Sequence, residues 1–344
     1  MEFFNFQNFK KAINPILNYY KCKNYHISYF GGEPLMNWNI IEQSLPLFAR
    51  DPECKSIVLI SNGLLLDDYK VEFLKKYRCG LSWSFDGLWS FNRPLEDKSN
   101  SLETYESILP LALQLTSSCK VMIQPNCFET LVDNFKYFLN LGIKHPDFSL
   151  VRDDIYKQEH IELYKLKCKE LADYIIQVNK HTTNVEDVVS VGFFTLYTLD
   201  TLAARMFGKR DFGCFVGTNG ILYAYDGSIW PCERFRSANK LKLYDNNSKV
   251  YNFEVLKKLK EVSNTHEIPK CKECELYEYC NTGCTFSEIR NTSQKFHLSE
   301  DLGYDRNPID SVCELFKITY KNALYVFENA GLNYQNYILN QLPS

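Results

Sequence analysis

Seven of the chain's thirteen cysteines lie beyond residue 210, and their spacing limits what that region can fold around. Short loops of the CxxC type let two thiolates point at one metal centre while the chain turns back. An iron–sulfur cluster usually takes four thiolate ligands, so seven cysteines indicate two clusters with one ligand short. Residues 214–313 are therefore predicted to form an iron–sulfur module, whose cysteines are Cys214, Cys232, Cys271, Cys274, Cys280, Cys284 and Cys313.

Structural zinc is the alternative for this group, because four thiolates also hold zinc through similar loops.

No apolar run approaches the ~20 residues that span a bilayer, and the first residues lack the regions of a signal peptide. A cytoplasmic location is predicted, and in a reducing compartment dense cysteines favour metal over disulfides. The other six are expected to be small buried apolar residues: Cys22, Cys54, Cys79, Cys119, Cys127 and Cys168.

The charge pattern excludes one large class of partner. The formal net charge of the 344 residues is −3, and no run of Lys or Arg occurs. Phosphate backbones are bound by clustered positive charge, so a nucleic-acid partner is excluded. No membrane partner is expected either.

The first half of the chain predicts an α/β fold. Short β-branched or aromatic runs alternate with amphipathic stretches, which is typical of parallel βα units. Five strands are predicted, at His26–Phe30, Ser56–Ser61, Gly80–Phe85, Lys120–Gln124 and Asp147–Val151. Helices are predicted at Thr130–Leu141, Tyr156–His181, Phe193–Phe207 and Ile309–Ala330.

The composition shifts near Gly208, which predicts two domains, 1–207 and 208–344. The second contains more turn residues together with the cysteine group. Within it, Asp226-Gly227 predicts the tight turn of a hairpin that places Cys232 on the returning strand.

The seven-cysteine arrangement closely resembles the SPASM domain, a C-terminal extension of radical S-adenosylmethionine (SAM) enzymes that carries auxiliary [4Fe–4S] clusters. The resemblance implies that Cys214, Cys232 and Cys284 hold a first auxiliary cluster. It implies a second cluster held by Cys271, Cys274, Cys280 and Cys313. The open position on the first cluster is expected to take a substrate thiolate or another group.

Three segments of the first domain resemble the same superfamily. Residues 29–36 read YFGGEPLM, residues 60–63 read ISNG and residues 82–87 read SWSFDG, each at the end of a predicted strand. The resemblance implies a partial (β/α)6 radical SAM barrel in which Gly31 and Gly32 let the backbone approach the methionyl amino group and Glu33 lies beside it. It makes cofactor-binding candidates of Ser61, Asn62, Ser84 and Asp86.

Arg93 is a further cofactor-binding candidate. Many relatives have an arginine beyond the Asp-Gly turn that pairs with the SAM carboxylate, and Arg93 follows Asp86 by seven residues. The alternative is a solvated surface arginine.

The family binds its principal [4Fe–4S] cluster through CxxxCxxC, and this sequence contains no such motif. Residues 5–13, NFQNFKKAI, resemble the helix that follows that cluster loop. The barrel is therefore expected to lack its first strand, with the natural protein longer and carrying the radical cluster; a degenerate member is the alternative. The edge at His26–Phe30 is then expected to cause poor solubility or pairing with another chain.

The resemblance implies an enzyme that modifies a peptide or protein through a 5′-deoxyadenosyl radical, as in the maturation of ribosomal peptides, with a flavodoxin or ferredoxin as reducing partner. Sulfatase maturases carry an aspartate after the second module cysteine, where this chain has Glu233, a candidate base. That departure favours a peptide maturase. The alternatives are a non-catalytic relative that binds peptide or transfers electrons, and a zinc-stabilised interaction module.

Overall fold

A computed structural model describes residues 4–93, 95, 101–116, 118–152, 156–208, 216, 220–237, 239–263, 268–280, 283–292 and 308–342. Its larger sheet has five parallel strands in sequential order. They are β1 (Tyr25–Tyr29), β2 (Cys54–Ser61), β3 (Cys79–Ser84), β4 (Cys119–Ile123) and β5 (Asp147–Leu150). All five predicted strands and the α/β class are confirmed.

The helices before residue 210 connect and cover these strands. Asn5 begins the first of them by accepting a hydrogen bond from the Asn8 amide on its side chain, at 2.9 Å. They are α1 (Phe6–Tyr19), α2 (Trp38–Arg50), α3 (Asp68–Lys76), α4 (Ser101–Ser107), α5 (Leu109–Ala112), α6 (Leu131–Asn140), α7 (Gln158–Asn179) and α8 (Gly192–Phe207).

Alternation along the strands shows which face the helices cover. In β3 and β4 every second residue is buried and the residues between are half-buried. One face therefore packs under helices and the other faces the interior of the sheet's curve.

The expectation that all six scattered cysteines are buried is wrong for Cys22, which is exposed, and for Cys54, which is half-buried. It is confirmed for Cys79, Cys119, Cys127 and Cys168.

A small antiparallel sheet lies in the second half of the chain. Its strands are β6 (Leu222–Tyr223), β7 (Ile229–Trp230), β8 (Tyr244–Asp245) and β9 (Val250–Tyr251). The predicted hairpin is present, with Gly227 at φ +79° in its turn. Cys232, however, lies beyond β7, because Pro231 has no N–H with which to extend the ladder.

The remaining helices belong partly to the barrel. They are α9 (Phe253–Ser263), α10 (Pro269–Lys272), α11 (Thr285–Thr292), α12 (Asp310–Asn329) and α13 (Leu332–Leu339). In α12, the Thr319 hydroxyl lies 2.8 Å from the Tyr164 hydroxyl of α7, and Tyr320 stacks on Tyr197 of α8 at 4.3 Å between ring centroids. The C-terminal helix thus shares the barrel's core, while the boundary at 207/208 stays a prediction.

Two further observations concern the edges and helices. Among the described residues β1 pairs with β2 alone, and its expected pairing with another chain stays a prediction. No helix in the described ranges is both long and apolar enough to cross a membrane.

His145 predicts a pH-dependent loss of stability. Its ring stacks on Tyr337 at 4.7 Å, and its buried Nδ1 has no hydrogen-bond partner among the described residues. Burial, aided by the charge of Lys144, lowers the pKa of His145 to about 4. The unfolded chain, with a histidine pKa near ~6.5, then binds the extra proton between about pH 6.5 and 4, so the free energy of unfolding falls there by up to about 3 kcal/mol.

The measurement is urea unfolding at several pH values for wild type and His145→Phe, which keeps a ring to stack on Tyr337. We expect the variant to lose less stability than wild type as the pH falls through this window. Parallel losses in the two proteins would contradict the assignment.

Candidate functional site

The candidate residues of the first domain lie where neighbouring strands end. Because β1, β2 and β3 run parallel, their carboxyl ends meet at one edge of the sheet. Ligand sites of parallel sheets and barrels lie at that edge. The three segments singled out from the sequence, 29–36, 60–63 and 82–87, therefore come together.

The Glu33 carboxylate joins the first two strand ends. One oxygen accepts hydrogen bonds from the Ser61 hydroxyl at 2.7 Å and from the Leu35 amide at 2.9 Å, and the other accepts from the Asn62 amide at 3.0 Å. The Ser61 hydroxyl oxygen in turn accepts from the Gly63 amide at 2.9 Å. A negative charge is thereby held in a fixed place between β1 and β2.

Gly31 and Gly32 have no structural reason to be glycine within the described chain. Neither has a positive φ, and a Cβ built on either would meet no atom within 4 Å. Gly63 and Gly87 differ, since their φ values of +78° and +61° require glycine and a Cβ would touch neighbouring side chains. The backbone at 31 and 32 thus borders open space beside Glu33.

Asp86 and Arg93 form an ion pair whose carboxylate is buried. Asp86 is 1% exposed, and its carboxylate accepts from Arg93 Nε at 2.6 Å, from Arg93 Nη2 at 3.2 Å and from the Met122 amide at 2.8 Å. The Arg93 side chain is only 29% exposed, so it is not a solvated surface arginine. The Asp86 carboxylate is engaged by the protein itself, and Arg93 is held beside the end of β3. Ser84, the last residue of β3, is half-buried.

Tyr105 is a residue of this site that the sequence does not single out. It is buried in α4, and its ring stacks on Phe85 at 5.4 Å. Burial raises the pKa of Tyr105; Arg93 opposes the rise and Asp86 and Glu33 add to it. Its hydroxyl is therefore within electrostatic reach of all three charged candidates. A tyrosine in an ordinary helix gives no sequence signal of this position.

Four cysteines of the second half line one cavity of about 240 Å³: Cys271, Cys274, Cys280 and Cys313. Three come from α10 and the turns that follow it, where the Cys274 amide donates to the Cys271 carbonyl at 3.0 Å. The fourth lies in the first turn of α12. Four thiols around one cavity are the donor set that an iron–sulfur cluster uses, so these residues fit that group.

The segments that carry Cys232 and Cys284 pack together. Arg234 Nη1 donates to Cys284 Sγ at 3.2 Å, and the Phe235 ring meets Phe286 edge-on at 5.1 Å. Glu233 is exposed at the start of a short 3₁₀ helix. Cys214, the third predicted ligand of this group, lies outside the described residues.

A site for a single metal ion brings its ligands closer together than a site for an iron–sulfur cluster does. In the described part of the chain, no three His, Cys, Asp or Glu side chains are grouped so as to hold one metal ion. The zinc and iron–sulfur assignments both stay predictions.

Known proteins resemble this chain in sequence. No family model matches it. It is 37% identical over 82 residues to the radical SAM cyclopropyl synthase TigE of Paramaledivibacter caminithermalis, a match that spans 24% of this chain and only 17% of that protein. It is 21% identical over 282 residues to a cysteine-type anaerobic sulfatase-maturating enzyme of Clostridium novyi, covering 76% of this chain and 73% of the relative.

Solved structures resemble it in fold. The structure of anSMEcpe with bound AdoMet matches with a TM-score of 0.69 at 18% identity, covering 97% of this chain and 89% of that one. Streptococcus suis SuiB bound to S-adenosylmethionine matches with a TM-score of 0.51 at 16% identity, covering 87% and 69%. The parallel sheet with its helices is thus a partial radical SAM barrel, as predicted.

Sequence similarity and fold point to the same group of proteins. The matches in sequence include a radical SAM synthase and a sulfatase maturase, and the matches in fold include proteins solved with S-adenosylmethionine. In sequence and in fold the chain is similar to radical SAM/SPASM maturases, the sulfatase maturases among them.

Proposed function

We propose that this chain forms the SAM-binding barrel and the auxiliary-cluster module of an enzyme that modifies a peptide or protein substrate. One observation carries the proposal: Gly31 and Gly32 leave open space beside a fixed carboxylate at the carboxyl end of the parallel sheet. SAM and a [4Fe–4S] cluster, when bound, would supply a 5′-deoxyadenosyl radical.

The residues at the strand ends have separate parts in this proposal. The backbone at Gly31 and Gly32 would admit the methionyl amino group of SAM, and Glu33 would offer its negative charge to that ammonium. Ser61 and Asn62 hold Glu33 in place. Arg93, positioned by Asp86, is the group available for the SAM carboxylate.

The cysteine module adds two auxiliary sites. We assign a [4Fe–4S] cluster to Cys271, Cys274, Cys280 and Cys313, which the lining of one cavity supports. A second is assigned to Cys214, Cys232 and Cys284, with its open position available to substrate. Glu233 is proposed as a base because of its place after Cys232.

A peptide substrate is supported by one relative in particular. The native anSMEcpe was solved with AdoMet and a Cp18Cys peptide, at a TM-score of 0.67 to this chain. A cytoplasmic location and a flavodoxin or ferredoxin as reducing partner complete the proposal, since low-potential clusters need a reducing environment.

A second candidate function is a non-catalytic member that binds SAM, peptide or clusters. It is favoured by the lack of a CxxxCxxC motif in this sequence. The two are separated by anaerobic assay of 5′-deoxyadenosine with a strong reductant, on this chain and on a form that supplies the motif. Product from the latter supports the enzyme; its absence from both supports the binding protein.

Substitution of the two glycines tests the SAM site itself. Gly31→Val and Gly32→Val place a side chain in this space, and its Cβ meets no protein atom, so we expect SAM affinity to fall at least about tenfold while the melting temperature changes little. Isothermal titration calorimetry under anaerobic conditions measures the affinity.

The matched control is Gly80→Val. Gly80 also has open space for a Cβ and no positive φ, but it lies near the start of β3, at the other end of the strand from the site. We expect it to bind SAM as wild type does. Equal binding by all three variants would place SAM elsewhere.

A further inference from the structure

The first turn of α11 lies between the two cysteine groups and has a buried charge on one side. Glu288 is 4% exposed and lines the cavity of the four cysteines. One oxygen of its carboxylate accepts a hydrogen bond from the Gly283 amide at 2.9 Å, and a Cβ on Gly283 would lie 2.5 Å from that oxygen. The carboxylate therefore fixes the backbone at Gly283, directly before Cys284, and adds negative charge to the cavity wall.

A positive charge lies beside the same turn. Arg234 donates from one nitrogen both to Cys284 Sγ at 3.2 Å and to the Ser287 hydroxyl at 2.9 Å. Its guanidinium also lies over the Phe286 ring, at 4.9 Å from the centroid. Ser287 thus contacts the Arg234 cation, while the next residue, Glu288, lines the four-cysteine cavity.

These charges act oppositely on a redox centre. A carboxylate beside a cluster disfavours the added electron and lowers the reduction potential, whereas a cationic donor to a ligand sulfur favours the electron and raises it. Because both side chains are removed from most solvent, water and salt screen them less than surface charges.

We propose that Glu288 and Arg234 are positioning residues that set the two auxiliary centres at different reduction potentials: Glu288 lowers that of the four-cysteine centre, and Arg234 raises that of the centre containing Cys232 and Cys284. This inference rests on the proposed function, in that both groups hold iron–sulfur clusters.

The test is a redox titration followed by electron paramagnetic resonance on the anaerobically reconstituted full chain. Cys313→Ala and Cys232→Ala assign each signal to its centre. Glu288→Gln keeps the acceptor for Gly283 and removes the charge, so we expect the midpoint potential of the four-cysteine centre alone to rise. Arg234→Gln is expected to lower that of the other centre alone.

Iron content completes the experiment. Glu288→Ala, which loses the acceptor as well, is expected to hold less iron than Glu288→Gln.

Arg234→Lys is the second variant, for the case that Arg234→Gln fails to hold its cluster. Recovery of iron by Arg234→Lys supports a role for the positive charge, and continued loss of iron overturns the role of the charge. Midpoint potentials that stay unchanged, or that shift in one direction for both variants, overturn the inference. Unchanged iron in Cys313→Ala and Cys232→Ala instead overturns the proposed clusters.

Discussion

Replacing Cys313 with alanine is expected to remove about four irons and four sulfides per chain from the anaerobically reconstituted protein. Cys313 lines the cavity together with the three cysteines of the α10 region, and a cubane cluster that loses one of four thiolates is poorly retained. Iron and sulfide analysis, with zinc measured on the same samples, gives the result directly. Cys274→Ala should behave in the same way, because its thiol lines the same cavity.

The matched control is Cys22→Ser, because Cys22 is exposed and lies far along the chain from the module. Its iron content should equal that of wild type. Equal iron in the Cys22 and Cys313 variants would contradict the assignment. Zinc near one equivalent per chain, lost in the Cys313 variant, would favour the structural-zinc alternative.

Replacing Asp86 with alanine is expected to lower the free energy of unfolding by about 3 kcal/mol. The substitution leaves the half-buried Arg93 without its carboxylate and removes the acceptor of the Met122 amide. Urea unfolding followed by tryptophan fluorescence measures the loss, since Trp89 is buried close to Asp86 in the chain. A double-mutant cycle with Arg93→Ala isolates the coupling between the two charges.

Asp187→Ala provides the control on the surface. Asp187 pairs with Lys144 at 3.0 Å, but both side chains are well exposed, so we expect a much smaller loss than for Asp86→Ala. If Asp86→Ala cost no more than Asp187→Ala, the pair of Asp86 and Arg93 would not stabilise the end of β3.

Local sequence pattern predicted the sheet and its connecting helices because each has a short-range cause. From Ile57 to Ser61 the strand alternates buried and half-buried residues, as a strand under helices does. The helix predicted at Thr130–Leu141 begins at Leu131 and ends at Asn140, close to Gly142, whose φ of +80° ends it. The order of the strand ends then brings the three motifs to one edge.

Long-range pairings were outside the reach of such reasoning. The sequence placed Arg93 beyond the Asp-Gly turn but did not show that its partner is Asp86, and Tyr105 reaches the site only through the packing of α4. The burial expected of Cys22 failed because a chain segment between α1 and β1 lies at the surface. Hydrophobic period reports which face is buried and not which element buries it.

The position of Cys313 makes the cysteine cavity dependent on the rest of the fold. The residue lies in the first turn of α12, and later turns of that helix pack on α7 and α8 through Thr319 and Tyr320. The fourth cysteine therefore reaches the cavity only when the C-terminal helix docks on the barrel. Cluster binding in this cavity would then depend on correct assembly of the barrel, since a chain whose C-terminal helix is undocked would not bring the Cys313 thiol to the other three.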